Sequence, residues 1–152
     1  MTWLALMLST PIAASATETP GESALQARID AVLAEFPGGT QTAPNEIAWH
    51  DRAMILTLDD PSQLSPLSVG SCATGYHCAY SGYALSGSKL SLSACDTTVS
   101  TSVLSAVRSL ANAHGSGYVQ AKNSSGSVLA SVSHGDSIAY APAGITQLTC
   151  VS

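Results

Sequence analysis

Charge is scarce in this chain. Only 10% of its 152 residues are Asp, Glu, Lys or Arg, and just five of them are basic. No Lys/Arg-rich stripe exists, which excludes the electrostatic footprint of a nucleic-acid binder and adhesion to an anionic membrane surface. Aromatic residues make up only 5%, too few for a core built on large rings. No segment reaches the run of about 18 apolar residues that a membrane span needs.

Catalytic signatures are missing too. There is no His-Glu-x-x-His, no Gly-x-Ser-x-Gly and no phosphate loop. The four histidines (His50, His77, His114 and His134) are scattered. His114 and His134 each precede a glycine and read as turn residues, and the expectation for all four is a solvated surface position. A Ser/His/Asp triad is defined by geometry and not by proximity in sequence. No catalytic residue and no cofactor is therefore assigned, and the chain is expected not to be an enzyme.

What is present suits short strands. Ala, Val, Leu, Ser, Thr and Gly dominate, a mix closer to strands and turns than to a helix bundle. The charge that exists is uneven. Residues 17–69 hold eight acids and two arginines, net −6, whereas residues 70–152 carry net +1. An acidic lead segment thus precedes a near-neutral domain.

Residues 1–16 resemble a signal peptide, with an apolar stretch from Trp3 to Leu8, a break at Pro11 and the small-residue site Ala14-Ser15-Ala16. The expected product is secreted and extracellular, without membrane attachment after cleavage. In that compartment Cys72, Cys78, Cys95 and Cys150 form a disulfide framework. Four cysteines allow three connectivities. Cys72–Cys78 with Cys95–Cys150 is favoured, because the first needs only a tight turn at Gly75 and the second ties the chain's end to its centre. Zinc is disfavoured because the C-x2-4-C spacing is absent and His77 beside Cys78 fits no tetrahedral pattern. No metal ligand is assigned.

Along the chain, Thr19-Pro20-Gly21-Glu22 starts a helix. Leu25, Ile29, Val32, Leu33 and Phe36 give it one apolar stripe, and Pro37-Gly38-Gly39 stops it. Ile47–Trp49 and Met54–Leu58 read as a hairpin around His50-Asp51-Arg52. The organisation is then a signal peptide at 1–16, an acidic helix-hairpin extension or propeptide at 17–60, a linker at 61–70 and a β domain at 71–152. Within the domain, Tyr76–Tyr80 and Lys89–Ser93 form the first hairpin, with positive φ expected at Gly82 and Gly87. Residues 96–102 read as a loop, and residues 103–113 as a strand or short helix. Further strands are read at 118–121, 127–132, 138–140 and 145–150. About six short strands imply a sandwich or barrel. Asn123-Ser124-Ser125 matches a glycosylation sequon and reads best as a loop tip.

Three groups of residues carry a resemblance: Ser71-Cys72-x4-Tyr76-x-Cys78-Ala79-Tyr80-Ser81-Gly82, then Leu85-Ser86-Gly87, then Ala106-Val107-Arg108-Ser109-Leu110-Ala111-Asn112. Together they resemble the Streptomyces metalloproteinase inhibitor family of small secreted peptidase inhibitors. The resemblance implies a mainly β, βγ-crystallin-like Greek-key sandwich, here preceded by a helix plus hairpin extension. It implies an extracellular metalloproteinase as partner, a monomer, and steric occlusion of the protease by a loop. That loop corresponds to Lys122, Asn123, Ser124, Ser125, Gly126 and Ser127. In the inhibitor type a second disulfide brackets this loop, and here the stretch has no cysteine. An unstapled loop loses more entropy on binding. The alternative is a non-inhibitory βγ-crystallin-like structural, cell-wall or weakly calcium-binding protein. Calcium wants six to eight oxygens with carboxylates among them, yet Leu104 and Ser105 stand where crystallins carry acids, and Asp96–Thr101 has one acid.

Overall fold

A computed structural model describes residues 20–60 and 72–152. The signal-like segment, Thr19 and the expected linker at 61–70 lie outside them. The described residues form one helix, α1 (Pro20–Glu35), and eleven strands: β1 (Thr40–Ala43), β2 (Glu46–Trp49), β3 (Met54–Thr57), β4 (His77–Tyr80), β5 (Lys89–Leu92), β6 (Thr98–Ser100), β7 (Ser109–Asn112), β8 (Tyr118–Lys122), β9 (Val128–Ser133), β10 (Ser137–Ile138) and β11 (Gln147–Val151). The protein is mainly β, as expected.

Two antiparallel sheets carry the fold. One has the order β1-β2-β3-β5-β4-β7-β10 and the other β6-β11-β8-β9. Strands β4 to β7 form a first Greek key that lends its third strand, β6, to the opposite sheet. Strands β8 to β11 form a second that lends β10 in return. This exchange of third strands is the βγ-crystallin arrangement that the motifs implied. Two elements had no sequence signal. Strand β6 lies in a Thr/Ser run read as a loop, and gains its ladder only from β11. Strand β1 follows the Pro-Gly-Gly stop and pairs with β2 across a bulge.

The lead segment completes the larger sheet. Met54 lies opposite Leu92 and Leu56 opposite Leu90 in the β3–β5 pairing. All four are buried, in one cluster with Ile47, Trp49, Leu58 and the α1 residues Leu25 and Ile29. The indole nitrogen of Trp49 donates to the Phe36 carbonyl at 3.1 Å, which anchors the end of the helix over β2. Arg28 donates to the Asp59 carboxylate at 2.9 Å and to its carbonyl at 2.7 Å. That carboxylate also accepts from the Ser88 hydroxyl at 2.6 Å. Partial burial raises the Asp59 pKa, but these donors outweigh it and hold the group below its usual range. Both partners are nearly half exposed, so solvent screening keeps the ion pair's contribution small.

The larger sheet has a second covered face. Strand alternation puts Cys78 and Tyr80 opposite His77 and Ala79. Cys78, Tyr80 and Ala111 form a small cluster beneath Cys72, Tyr76 and Leu85. Burial pushes the Tyr80 phenol up to about 12. The loop from Ser81 to Ser88 folds back over this face. Ser109, fully buried, donates to the Gly82 carbonyl at 2.7 Å and accepts from the Leu85 amide at 2.9 Å. Positive φ falls at Ala84, Leu85 and Gly87, and not at Gly82. Gly82 is instead required by close approach, since a Cβ there would lie 2.8 Å from the Ser86 carbonyl oxygen.

Gly117, at φ +75, starts the turn into β8, and a Cβ there would strike the Val151 carbonyl. Gly117→Ala is expected to lower stability by roughly 2–4 kcal/mol, combining left-handed strain with a backbone clash. Gly135→Ala, at φ +77 with nothing within 4 Å, carries the strain alone and should cost about 1–2 kcal/mol. Urea midpoints of the two variants check the ordering, and equal midpoints would refute the close approach.

Candidate functional site

The loop expected to meet a protease lies at the tip of the β8–β9 hairpin. β9 is an edge strand of the smaller sheet. The turn is organised by Asn123. Its side-chain oxygen accepts from the Ser125 amide at 3.1 Å, the Ser125 hydroxyl at 2.7 Å and the Ser127 amide at 2.9 Å. The Asn123 amide donates to the Ser127 carbonyl and the Gly126 amide to the Asn123 carbonyl, both at 3.0 Å. Gly126 takes φ +83, which closes the turn. The Lys122 carbonyl accepts from the Thr146 amide at 2.9 Å, pinning the loop's base to the connection between β10 and β11.

A side-chain knot therefore holds the loop that the resemblance set against a disulfide-bracketed one. Asn and Asp form such local acceptor nets because their short side chains reach the backbone two residues on. Ser124, Ser125, Gly126 and Ser127 are exposed, and so are the next residues, Val128 and Leu129. The register shifts between Ala121 and Lys122, which face Ala130 and Val128 and leave Leu129 as the extra residue of a bulge. Bulges re-aim side chains and twist an edge strand away from its neighbour's plane.

A second constellation sits where the two sheets meet. Cys72 is bonded to Cys78 and Cys95 to Cys150. Beside the second bond lie His77 and His114, with His77 Nδ1 3.1 Å from His114 Nε2. His114 Nε2 is in turn 3.6 Å from Cys95 Sγ. His77 is 1% exposed. Its burial, followed by the proximity of His114, pushes its pKa down to about 4. The expectation of four solvated histidines therefore fails at two positions. His50 and His134 are exposed, whereas His77 points into the core and His114 is half-buried. Sequence spacing hid this group because its members come from β4, the segment after β7, the segment after β5, and β11. The period-two alternation around Cys78 was the available signal, since it puts His77 on the face opposite that cysteine.

A third feature is an exposed aromatic pair. Tyr83 and Tyr140 lie with ring centroids 5.5 Å apart, and the Arg108 guanidinium sits 5.2 Å from the Tyr83 centroid. The calcium-like stretch holds little. The Asp96 carboxylate accepts from the Ser152 amide at 3.3 Å and the Ser152 hydroxyl at 2.7 Å. These bonds lower its pKa and commit it to the chain's end.

Taken together, the fold is a double Greek-key sandwich with two disulfides and a turn-locked hairpin on an exposed edge. Residues 66–128 match the model described as peptidase inhibitor family I36. This is the Streptomyces metalloproteinase inhibitor family that the cysteine, Tyr-Ser-Gly and Arg-Ser-Leu-Ala-Asn motifs resemble. The match runs through the first Greek key and the whole Lys122–Ser127 loop. It supports a peptidase-inhibitor role. Among curated proteins and among solved structures, nothing matches the chain at a significant level. Among the described residues, no helix is long and apolar enough to cross a membrane.

Proposed function

We propose that this chain is an extracellular peptidase inhibitor that lays the Lys122–Ser127 loop and the start of β9 along the cleft of a metalloproteinase and blocks it by occlusion, with no catalysis of its own. The observation that carries this reading is the Asn123 side chain, which accepts three hydrogen bonds inside an otherwise exposed turn. A turn already held in shape loses little freedom on binding, so more of the contact energy becomes affinity. The free edge of β9 offers backbone donors and acceptors to an extended cleft. Val128 and Leu129, exposed by 49% and 37%, offer apolar contacts. The sequon at Asn123 becomes a poor acceptor in this setting, because its side-chain amide sits within the turn.

The test is a titration of the full oxidised chain against thermolysin-like neutral metalloproteinases. Stoichiometric inhibition is expected. Asn123→Ala should weaken it by about tenfold or more, the equivalent of losing about 1.4 kcal/mol of preorganisation, and should speed cleavage between residues 122 and 128. Cleavage of the unaltered chain without inhibition would sink the proposal. The exposed Tyr83–Tyr140 pair beside Arg108 favours the second reading, a non-inhibitory extracellular protein that stacks on wall glycans. Retention on isolated cell wall, lost in Tyr140→Ala, would support it.

A further inference from the structure

We propose that, once the Cys95–Cys150 bond is reduced, Cys95, Cys150, His77 and His114 form a Cys2His2 site for a tetrahedral, borderline-soft divalent cation of the Zn2+ type. This lies outside the inhibitor reading, which needs no metal. It also reverses the expectation, drawn from spacing alone, that no residue of this chain is a metal ligand.

The geometry carries the inference. One ligand atom from each of the four residues lies within 4.8 Å of all the others. Zinc bonds thiolate sulfur at about 2.3 Å and imidazole nitrogen at about 2.0–2.1 Å in tetrahedral geometry. Those lengths require nitrogens about 3.3 Å apart and sulfur about 3.6 Å from nitrogen. The chain already sets His77 Nδ1 and His114 Nε2 at 3.1 Å, and Cys95 Sγ and His114 Nε2 at 3.6 Å. The two sulfurs must part to about 3.8 Å, and the remaining ligand pairs start within 4.8 Å of one another. Both imidazoles turn a nitrogen toward the sulfurs, as two ligands of one ion would.

The surroundings favour a structural site. His77 and Cys150 are buried, and His114 and Cys95 are half-buried, which leaves a route for an ion. The Asn112 side-chain oxygen accepts from the His114 amide at 3.1 Å and so fixes the backbone that carries this ring. Asn112 is itself held by a bond from its amide nitrogen to the Val132 carbonyl at 3.2 Å. These bonds hold the backbone from which the His114 ring projects. The pairing of the two histidines is explained as well. In the oxidised chain one ring must donate to the other across the 3.1 Å contact. With metal bound, both facing nitrogens are unprotonated, and each ring carries its proton on the far nitrogen.

The chemistry balances. A dithiol reductant gives two electrons and two protons to Cys95–Cys150 and closes to its own disulfide, leaving two thiols. The cation then takes both sulfurs as thiolates and releases two protons to water. Two thiolates neutralise the ion's charge, so the buried corner gains no net charge. The same four residues therefore close the sandwich in two ways, by a covalent bond when oxidised and by a metal when reduced.

The test uses the full chain, reduced with a phosphine and loaded with Zn2+, and X-ray absorption at the zinc edge. The expected result is one zinc per chain with two sulfur and two nitrogen neighbours, and no stoichiometric zinc on the oxidised chain. A four-sulfur shell, an oxygen-dominated shell, or no retained zinc would overturn the proposal, and none of these readouts depends on a variant. Co2+ titration adds a second arm. Cys72→Ser/Cys78→Ser should keep the tetrahedral thiolate spectrum, and His114→Gln should weaken binding by at least about tenfold. Equal Co2+ affinity in His114→Gln would overturn it too.

Discussion

Residues 72–152 made without the preceding segment should fail to fold cooperatively at 25 °C. The prediction rests on where the larger sheet ends. In the whole chain β3 lies between β2 and β5 and caps the buried faces of Leu90 and Leu92 with Leu56 and Met54. Removing β3 opens a sheet edge, a row of unpaired backbone groups beside exposed leucines. The deleted segment takes its own ordering cost with it, so the net loss is what the remaining side chains lose. At roughly 1.5–3 kcal/mol for each leucine uncovered, that is on the order of 3–6 kcal/mol. A typical domain has only about 5–15 kcal/mol in all. Circular dichroism melts of the fragment and of the full chain decide the matter. A peptide spanning residues 20–60 should restore a cooperative melt when added in trans. If the fragment alone melts within a few degrees of the full chain, the acidic segment is a dispensable propeptide. We take it instead to be a permanent part of the fold, and the inhibition assay accordingly uses the full chain.

Acid should unfold the oxidised protein through His77. The ring is neutral when folded, with a pKa of about 4, against about 6.5 in an unfolded chain. Between those values the unfolded state holds a proton that the native state refuses. Stability is therefore fully present above about pH 7 and falls as the pH drops through this window. At 1.36 kcal/mol per pKa unit, the loss reaches about 3 kcal/mol at pH 4. The groups that face the ring are His114 and the Cys95–Cys150 bond. The bond does not titrate, and a charged His114 would repel a charged His77 further. Asp59 also has a lowered pKa, but its effect falls below about pH 4, outside this window. Urea midpoints measured from pH 7.5 to pH 4.5 should decline in the natural chain and stay nearly level in His77→Leu. Parallel curves would remove His77 as the cause.

These expectations separate what was legible in sequence from what was not. The disulfide turn at Cys72 and Cys78 was legible because a six-residue loop has few ways to close. Helix α1 was legible from its apolar spacing and from Pro37-Gly38-Gly39 after it. The alternation of Leu90 and Leu92 with Ser91 identified an inward face, since side chains alternate across any strand. The Lys122–Ser127 loop was legible as a position, because Gly and Ser between two strand-like runs mark a hairpin tip. That Asn123 knots the loop was not, because an acceptor net depends on the turn's actual backbone.

Local and periodic features follow from the order of residues: fold class, disulfide turn, helix, most strands and the family to which the motifs point. The remaining features depend on contacts between distant segments. β6 is a strand only because β11 lies beside it, and a run of three residues, Thr98–Ser100, is too short to show a period that would announce it. The acidic segment belongs to the larger sheet only because β3 pairs with β5 across 31 intervening residues, a contact that leaves no local trace. His77, His114, Cys95 and Cys150 meet because two Greek keys pack face to face. Ligand geometry is a property of three dimensions, and residues drawn from two strands and two connections carry no spacing that could have revealed it.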